Sequence, residues 1–288
     1  MPFETLTPPR LGNTRVTGKE QFYTPKDLAI SLVAKVEKTL GPLAGKTILE
    51  PAGGTGSFVE AVSHAGAKKV ISFDIEPLHP KVSKGSFLDQ EIHEAGVVTI
   101  SNPPFGRNNA LSVPFFNHAA SFSDAICFIV PRSWRKWSVT NRLDMNFELA
   151  LDVDLDIDYV DAHGELLSTK SRLATCFQVW RKTKTPRVPI RIKDMGVIEK
   201  VAPAEADVSL TIFGYGCGKL KVEFEPVANT TQLFLKLIHP KALAALKKVD
   251  YSKFYKNTAY TEALSLQEIN YLLNEEIFGN PMMESSSR

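Results

Sequence analysis

The chain has 288 residues, 43% hydrophobic and 23% charged, which is ordinary globular usage with room for one large core plus an appendage, or for two domains. A formal net charge of +2 allows nucleic-acid binding without arguing for it, because the distribution of charge matters more. No apolar run approaches the ~20 residues of a membrane span.

Three further exclusions are local. The opening MPFETLTPPR carries an acid and prolines where a secretory leader would be basic and then apolar, so no leader is expected. Cys127, Cys176 and Cys217 are odd in number and widely spaced, with no CxxC or Cys/His cluster, so neither a disulfide framework nor a metal site is expected. A reducing cytoplasm fits that usage, and no membrane association is expected.

Residues 1–20 are rich in Pro, Gly and Thr and read as an extended surface stretch, as the tail ESSSR reads as frayed. Leu28, Leu32, Val36 and Leu40 then repeat every four residues and predict a helix, with Thr24-Pro25 as N-cap and first helical proline. GKTILEPAGGTGSF reads as strand, Gly loop and helix start, and KKVISFDIEP as a second strand ending in acids. VVTISNPPF is another strand, VPFFNHAASF a helix and DAICFIVP a strand with few polar positions. Such strands, apolar on both faces and alternating with helices, predict a mostly parallel doubly wound α/β sheet. DVDLDIDYV and ATCFQVWRK are later, more alternating strands. Near residue 185 the pattern changes to strand pieces, a Gly-rich turn GYGCGK and basic helices, a small α+β region. The expected domains are therefore 1–185 and 186–288.

Chemistry concentrates in four places. In EPAGGTG the glycines let backbone approach a ligand and turn into a helix; this is not the GxGxxG of a pyrophosphate loop, and Glu50 at its mouth favours a cationic ligand over a phosphate. Asp74 ends the second strand, where an acid accepts from both ribose hydroxyls of an adenosine-bearing cofactor; Glu76 is the alternative. KGSFLDQ offers Ser86, Phe87 and Asp89 for an adenine ring. In SNPPF the prolines end the strand ladder. Asn102 and the Pro103 carbonyl are then two acceptors for one exocyclic NH2, beside Phe105 as a stacking face worth ~1–3 kcal/mol.

In this order the motifs resemble the amino-group methyltransferases that use S-adenosylmethionine, specifically the γ-type N6-adenine DNA methyltransferases, over about residues 15–182. FYTP looks like that family's N-terminal motif, LEPAGGTGSF its cofactor loop, FDIEP its ribose acid and SNPPF its catalytic tetrapeptide. The resemblance implies a class I, Rossmann-like fold with a mostly parallel seven-stranded sheet. It implies Phe22 and Thr24 at the methionine end of the cofactor, and Glu50, Ala52, Gly53 and Gly56 around its sulfonium and backbone. Asp74 would take the ribose, Phe87 the cofactor adenine, and Asn102, Pro103 and Phe105 the target amine. Tyr23, Pro51, Gly54, Ile75, Ser86 and Pro104 are their neighbours in the same motifs. One departure is that Ser86 stands where many members have an Asp that accepts from the cofactor's adenine amine, with Asp89 three residues on.

The resemblance also implies a second aromatic on a late strand facing the target base, which falls on Phe177, with a core Phe as the equal alternative and Tyr23 and Trp180 as lesser candidates. PRSWRKWSVTNR interleaves Arg132, Arg135, Lys136 and Arg142 with Trp134 and Trp137, a composition for phosphate contact and stacking, or else core tryptophans under a solvated face. Further cations from Arg187 to Lys256 support a duplex groove weakly. The expected substrate is adenine in DNA, flipped out of the stack, with a partner subunit conceivable. RNA is the alternative, since NPPFG also looks like a stretch of enzymes acting on a ribosomal RNA adenine. A protein glutamine methyltransferase, a binding module on a degenerate fold and a nicotinamide dehydrogenase rank lower.

Overall fold

The computed structural model describes residues 22–160 and 173–282. The extended N-terminal stretch and the ESSSR tail expected above lie outside them. Two compact units divide the described chain: one takes the residues up to Trp134 and Ser138–Pro189, the other Arg135–Trp137 and the residues from Ile190.

In the first unit, α1 (Lys26–Leu40) precedes β1 (Thr47–Glu50), α2 (Ser57–His64), β2 (Lys69–Asp74), β3 (Ser83–Lys84) and β4 (Val97–Ser101). Then come α3 (Ser112–Ala120), β5 (Ser123–Pro131), the short α4 (Trp137–Thr140), whose first residue belongs to the other unit, β6 (Phe147–Leu155) and β7 (Thr175–Lys182). The seven strands form one sheet in the order β3-β2-β1-β4-β5-β7-β6. Neighbours from β3 through β5 are parallel, while β7 runs antiparallel to both β5 and β6.

The continuous apolar strands have a simple cause. Ile48, Ala125, Cys127, Ile129, Phe177 and Val179 pack with α1 and α2, whereas Leu49, Ile126, Phe128, Val130, Cys176 and Trp180 pack with α3. Alternate residues thus face opposite layers, and both faces of the sheet are covered by helices. Phe116 of α3 centres the second layer, edge-on to Phe128, Trp134, Phe147 and Trp180 at 5.6–6.2 Å, geometry aromatic rings favour.

The start of α1 differs from expectation. Pro25 is the N-cap, with no side-chain cap, and its carbonyl receives the Ala29 N–H. Thr24 lies one residue outside, and its carbonyl instead accepts from Ser57 Oγ at 2.7 Å.

The second unit carries β8 (Ile198–Lys200), β9 (Val208–Thr211), β10 (Leu220–Lys221) and β11 (Gln232–Leu237), then α5 (Ala242–Lys248), α6 (Ser252–Tyr255) and α7 (Leu266–Phe278). Its antiparallel sheet has the order β10-β9-β11-β8. Leu210, Leu235, Leu246, Ile269 and Leu273 share its core. α7 opens with a reciprocal Ser265/Glu268 capping box and ends at left-handed Gly279, start and stop signals of the strongest local kind.

Candidate active site

The carboxyl ends of β1, β2 and β4 meet where the strand order reverses between β1 and β4, the position at which open α/β sheets bind ligands. A cavity of about 340 Å³ opens there. It is lined by Phe22, Tyr23 and Thr24; by Glu50, Pro51, Ala52, Gly53 and Gly54; by Asp74, Ile75, Ser86 and Phe87; and by Asn102, Pro103, Pro104 and Phe105. Residues as far apart in sequence as Phe22 and Phe105 are thereby brought together.

The loop after β1 is held from both sides. Gly53 N–H donates to the Phe73 carbonyl at 2.9 Å, and Gly54 N–H to Asp74 Oδ2 at 2.8 Å. Asp74 Oδ1 accepts from Glu76 N–H at 2.8 Å, so two backbone bonds fix the carboxylate while each oxygen keeps acceptor capacity. Glycine is needed here for closeness. A Cβ on Gly53 would stand 2.3 Å from Ser72 Oγ, and one on Gly54, at φ +44°, 2.8 Å from the Tyr23 ring. Gly56 caps α2 in the left-handed region, lies against His79 and does not line the cavity.

Glu50 is buried, and its Oε1 accepts from Ser101 Oγ at 2.5 Å and from Ala52 N–H at 3.0 Å. Burial dominates its titration and, with Asp74 nearby, pushes its pKa up to about 8 against those two bonds. The group is a neutral acid near pH 7, poised to ionise for a cation.

Asn102 is oriented by its own amide. Nδ2 donates to the Phe22 carbonyl at 2.9 Å, and since a carbonyl only accepts, Oδ1 must point the other way. Oδ1 is buried and has no hydrogen-bond partner among the described residues, a condition that costs about 1–3 kcal/mol. On a residue lining the cavity, such an acceptor is a place for an incoming N–H. The same bond ties the FYTP stretch to the end of β4. Phe105 lines the cavity beside it, and its carbonyl receives Leu111 and Ser112 N–H at 3.2 and 3.3 Å.

The apolar surface at the far end is set differently from expectation. Phe87 is almost wholly enclosed, packed on Phe115, His118 and Phe122. The open apolar surface comes from Ile75, 54% exposed, and from Leu88, 38% exposed. Leu88, Leu111, Phe115 and Gly85 also line the cavity; the sequence singled out none of them, although Gly85 and Leu88 sit inside the flagged KGSFLDQ stretch. Asp89 is exposed and not part of the lining.

Several expected substrate contacts do not line the cavity. Phe177 has no exposed surface and packs in the α1–α2 layer, so it offers no face to a base. Trp180 is likewise core, its Nε1 donating to Gln178. Trp134 is fully enclosed, and its Nε1 donates to Ser112 Oγ at 3.2 Å; the core alternative holds for it. Arg132 pairs with Asp154 and donates to the Thr175 carbonyl. Arg135 and Lys136 belong to the second unit, where Lys136 donates to both oxygens of buried Glu268 at 2.9 Å and Trp137 packs on Phe254 and Tyr271. Arg187 covers the Trp180 ring and donates to the Phe147 carbonyl, while Lys248 and Lys253 pair with Glu276 and Glu275. Arg132, Lys136, Arg187, Lys248 and Lys253 thus each have an acidic or carbonyl partner within their own unit. Among the described residues no cluster of His, Cys, Asp and Glu could hold a metal, and no helix is long and apolar enough to cross a membrane.

No family model matches the chain. A ribosomal RNA small subunit methyltransferase A from Sinorhizobium medicae is 23% identical over 248 residues, 77% of this chain and 86% of that protein. Among solved structures, a Pyrococcus horikoshii protein assigned provisionally as an RNA methyltransferase aligns with TM-score 0.48 and 21% identity, over 59% of this chain and 92% of its own. The type IIG restriction endonuclease BpuSI aligns with TM-score 0.44 and 17% identity, over 58% of this chain and 26% of its own. The strand order, with its antiparallel penultimate strand, is the Rossmann-like fold of class I S-adenosylmethionine-dependent methyltransferases.

Proposed function

We propose that the protein methylates the exocyclic N6 amine of adenine in DNA, using S-adenosylmethionine. The observation that carries this reading is Asn102 Oδ1, a buried acceptor with no hydrogen-bond partner among the described residues, on the lining of the cavity that also holds Glu50 and Asp74.

The residues present fit the cofactor. Asp74 keeps free lone pairs for ribose hydroxyls, Glu50 answers a cationic amino group, and Ile75 and Leu88 offer apolar surface to an adenine. The glycines at 53 and 54 leave no side chain between that ligand and the loop backbone. When bound, S-adenosylmethionine supplies a methyl group on a sulfonium, an electrophile that needs no further activation.

An adenine amine is a poor nucleophile, because its lone pair is delocalised into the ring. Asn102 Oδ1 accepts one of its N–H bonds, draws the nitrogen toward sp³ geometry and stabilises the positive charge that grows on it. The proton leaves after transfer, so no residue need act as a base beforehand. Phe105 borders the same space and limits where the ring can lie. A base inside a duplex cannot reach such a cavity and has to be extruded.

What supports DNA is the order of the motifs and the FYTP stretch held by Asn102, both implied by the γ-type resemblance. A second reading, RNA, is supported by the Sinorhizobium relative, which by its name methylates ribosomal RNA and of which the alignment covers 86%. The test is transfer from labelled S-adenosylmethionine to duplex DNA, single-stranded DNA and total RNA in parallel, followed by nucleoside digestion. N6-methyladenine from DNA is the expected product. Label in RNA alone moves the assignment to the second reading, and label in neither overturns both.

A further inference from the structure

We propose that the tip of the β9–β10 hairpin, led by Tyr215, is a base-stacking contact for nucleic acid, an inference that rests on the substrate class proposed above. Tyr215 is the most exposed large hydrophobic residue described, at 105% of its reference surface, and Phe213 beside it is 48% exposed. An exposed aromatic by itself is unremarkable surface. Here the backbone that carries it is built with care.

Gly214, Gly216 and Gly218 all have φ between +80° and +89°, a region other residues rarely adopt. A Cβ on Gly214 or Gly216 would meet nothing within 4 Å, so the glycines flanking Tyr215 serve the shape of the chain rather than its packing. The tip is then pinned at its base. Gly218 N–H donates to Thr211, Cys217 N–H to Gly214, Lys219 N–H to Gly216 and Gly214 N–H to Glu262, at 2.7–3.1 Å. Cys217 is anchored in the core of the unit, and Gly218 lies against Tyr251.

The result is a tyrosine held out in water on a conformation already fixed, so little ordering is lost when it meets a flat partner. Lys219 is exposed at the foot of the tip, and Lys221 follows on β10. Their cations suit a phosphate backbone on either side of a stacked base. The tip bonds the backbone carbonyl of Glu262, and Glu223 and Glu225 follow the lysines along the chain. A nucleic acid satisfies both features of the tip, the ring and the lysines, where an acidic protein surface would use only the second.

The experiment compares wild type, Tyr215→Ala, Tyr215→Phe and Lys219→Ala by fluorescence anisotropy on duplex DNA, single-stranded DNA and RNA of one sequence, with calorimetric S-adenosylmethionine binding alongside. Stacking is expected to make Tyr215→Ala lose about tenfold in affinity, while Tyr215→Phe binds as wild type and cofactor affinity stays unchanged in both. Lys219→Ala should flatten the logarithmic salt dependence by roughly 0.7–0.9 of a unit. The nucleic acid that shows the Tyr215 loss identifies which of the three is stacked upon. Unchanged affinity in Tyr215→Ala overturns the inference and leaves the proposed activity standing. Equal losses in Tyr215→Ala and Tyr215→Phe also overturn it, since the hydroxyl would then be the contact. Absence of any nucleic-acid binding by wild type removes both.

Discussion

If the proposed role of Glu50 holds, cofactor binding should release a proton, and the size of that effect follows from the surroundings of this carboxyl. With its pKa held up to about 8 by burial, only about a tenth of the carboxyl is ionised at pH 7. A cationic amino group at this carboxyl selects the ionised minority, so binding at pH 7 is weakened about tenfold relative to a fully ionised site, ~1.4 kcal/mol. Each unit of pH below that costs about another factor of ten, until other groups titrate. Calorimetry between pH 6 and 7.5, in buffers of differing ionisation enthalpy, should therefore report close to one proton released per S-adenosylmethionine bound. Glu50→Gln, which keeps the neutral shape, should release none and should bind with a flat pH profile over that range. Release of no proton by wild type, or equal release by the variant, refutes the reasoning. The same shift acts on folding with the opposite preference. The native state holds this proton above the unfolded value of 4.5, so its contribution to stability is full below pH 4.5 and is lost as pH rises through about 8, at up to ~1.4 kcal/mol per unit.

Asn102→Ala should lower turnover by about 10²–10³-fold while changing cofactor affinity far less; single-turnover rates and calorimetry separate the two, and full activity in the variant would sink the role given to Oδ1. Gly53→Ala forces a Cβ to 2.3 Å from Ser72 Oγ and 2.8 Å from Val82, an overpacking expected to cost about 1–3 kcal/mol, read as a lower thermal midpoint together with weaker cofactor binding. Trp134→Ala removes an enclosed indole and should destabilise by ~3–5 kcal/mol; a variant of native stability that had lost only nucleic-acid affinity would restore Trp134 to the surface role its neighbours in sequence suggested.

The parts of the site that read directly from sequence are those whose chemistry is local. Glu50, the glycines, Asp74 and the Asn102–Phe105 tetrapeptide each sit at the end of a strand that sequence places well, and the strand order supplies the rest. What was not legible depends on direction. Both faces of β7 are covered, so an apolar pattern gives no sign that Phe177 faces α1 and α2 and Trp180 the α3 layer. The same holds for Phe87, whose motif located it while three neighbouring rings enclosed it. The bond between Ser101 and Glu50 joins residues 51 positions apart, beyond the reach of any local rule. Charge has the same directional ambiguity: Lys136 and Arg187 look like a surface composition, yet Lys136 donates to a buried carboxylate and Arg187 to a carbonyl inside its own unit.

The three-residue loan at Arg135–Trp137 bears on how such a protein can be recombined. A chain exchange made at residue 190, the obvious seam, would carry off α7 and its buried Glu268 but leave behind the lysine that neutralises it and the indole that packs on Phe254 and Tyr271. The transplanted piece would inherit a stranded negative charge, a defect typically worth 3–5 kcal/mol, roughly the stability of a small domain. The C-terminal unit is therefore not free to travel as a cassette. A productive shuffle has to move the loop after β5 together with the C-terminal unit, so that two stretches of gene separated by some fifty codons are inherited as one.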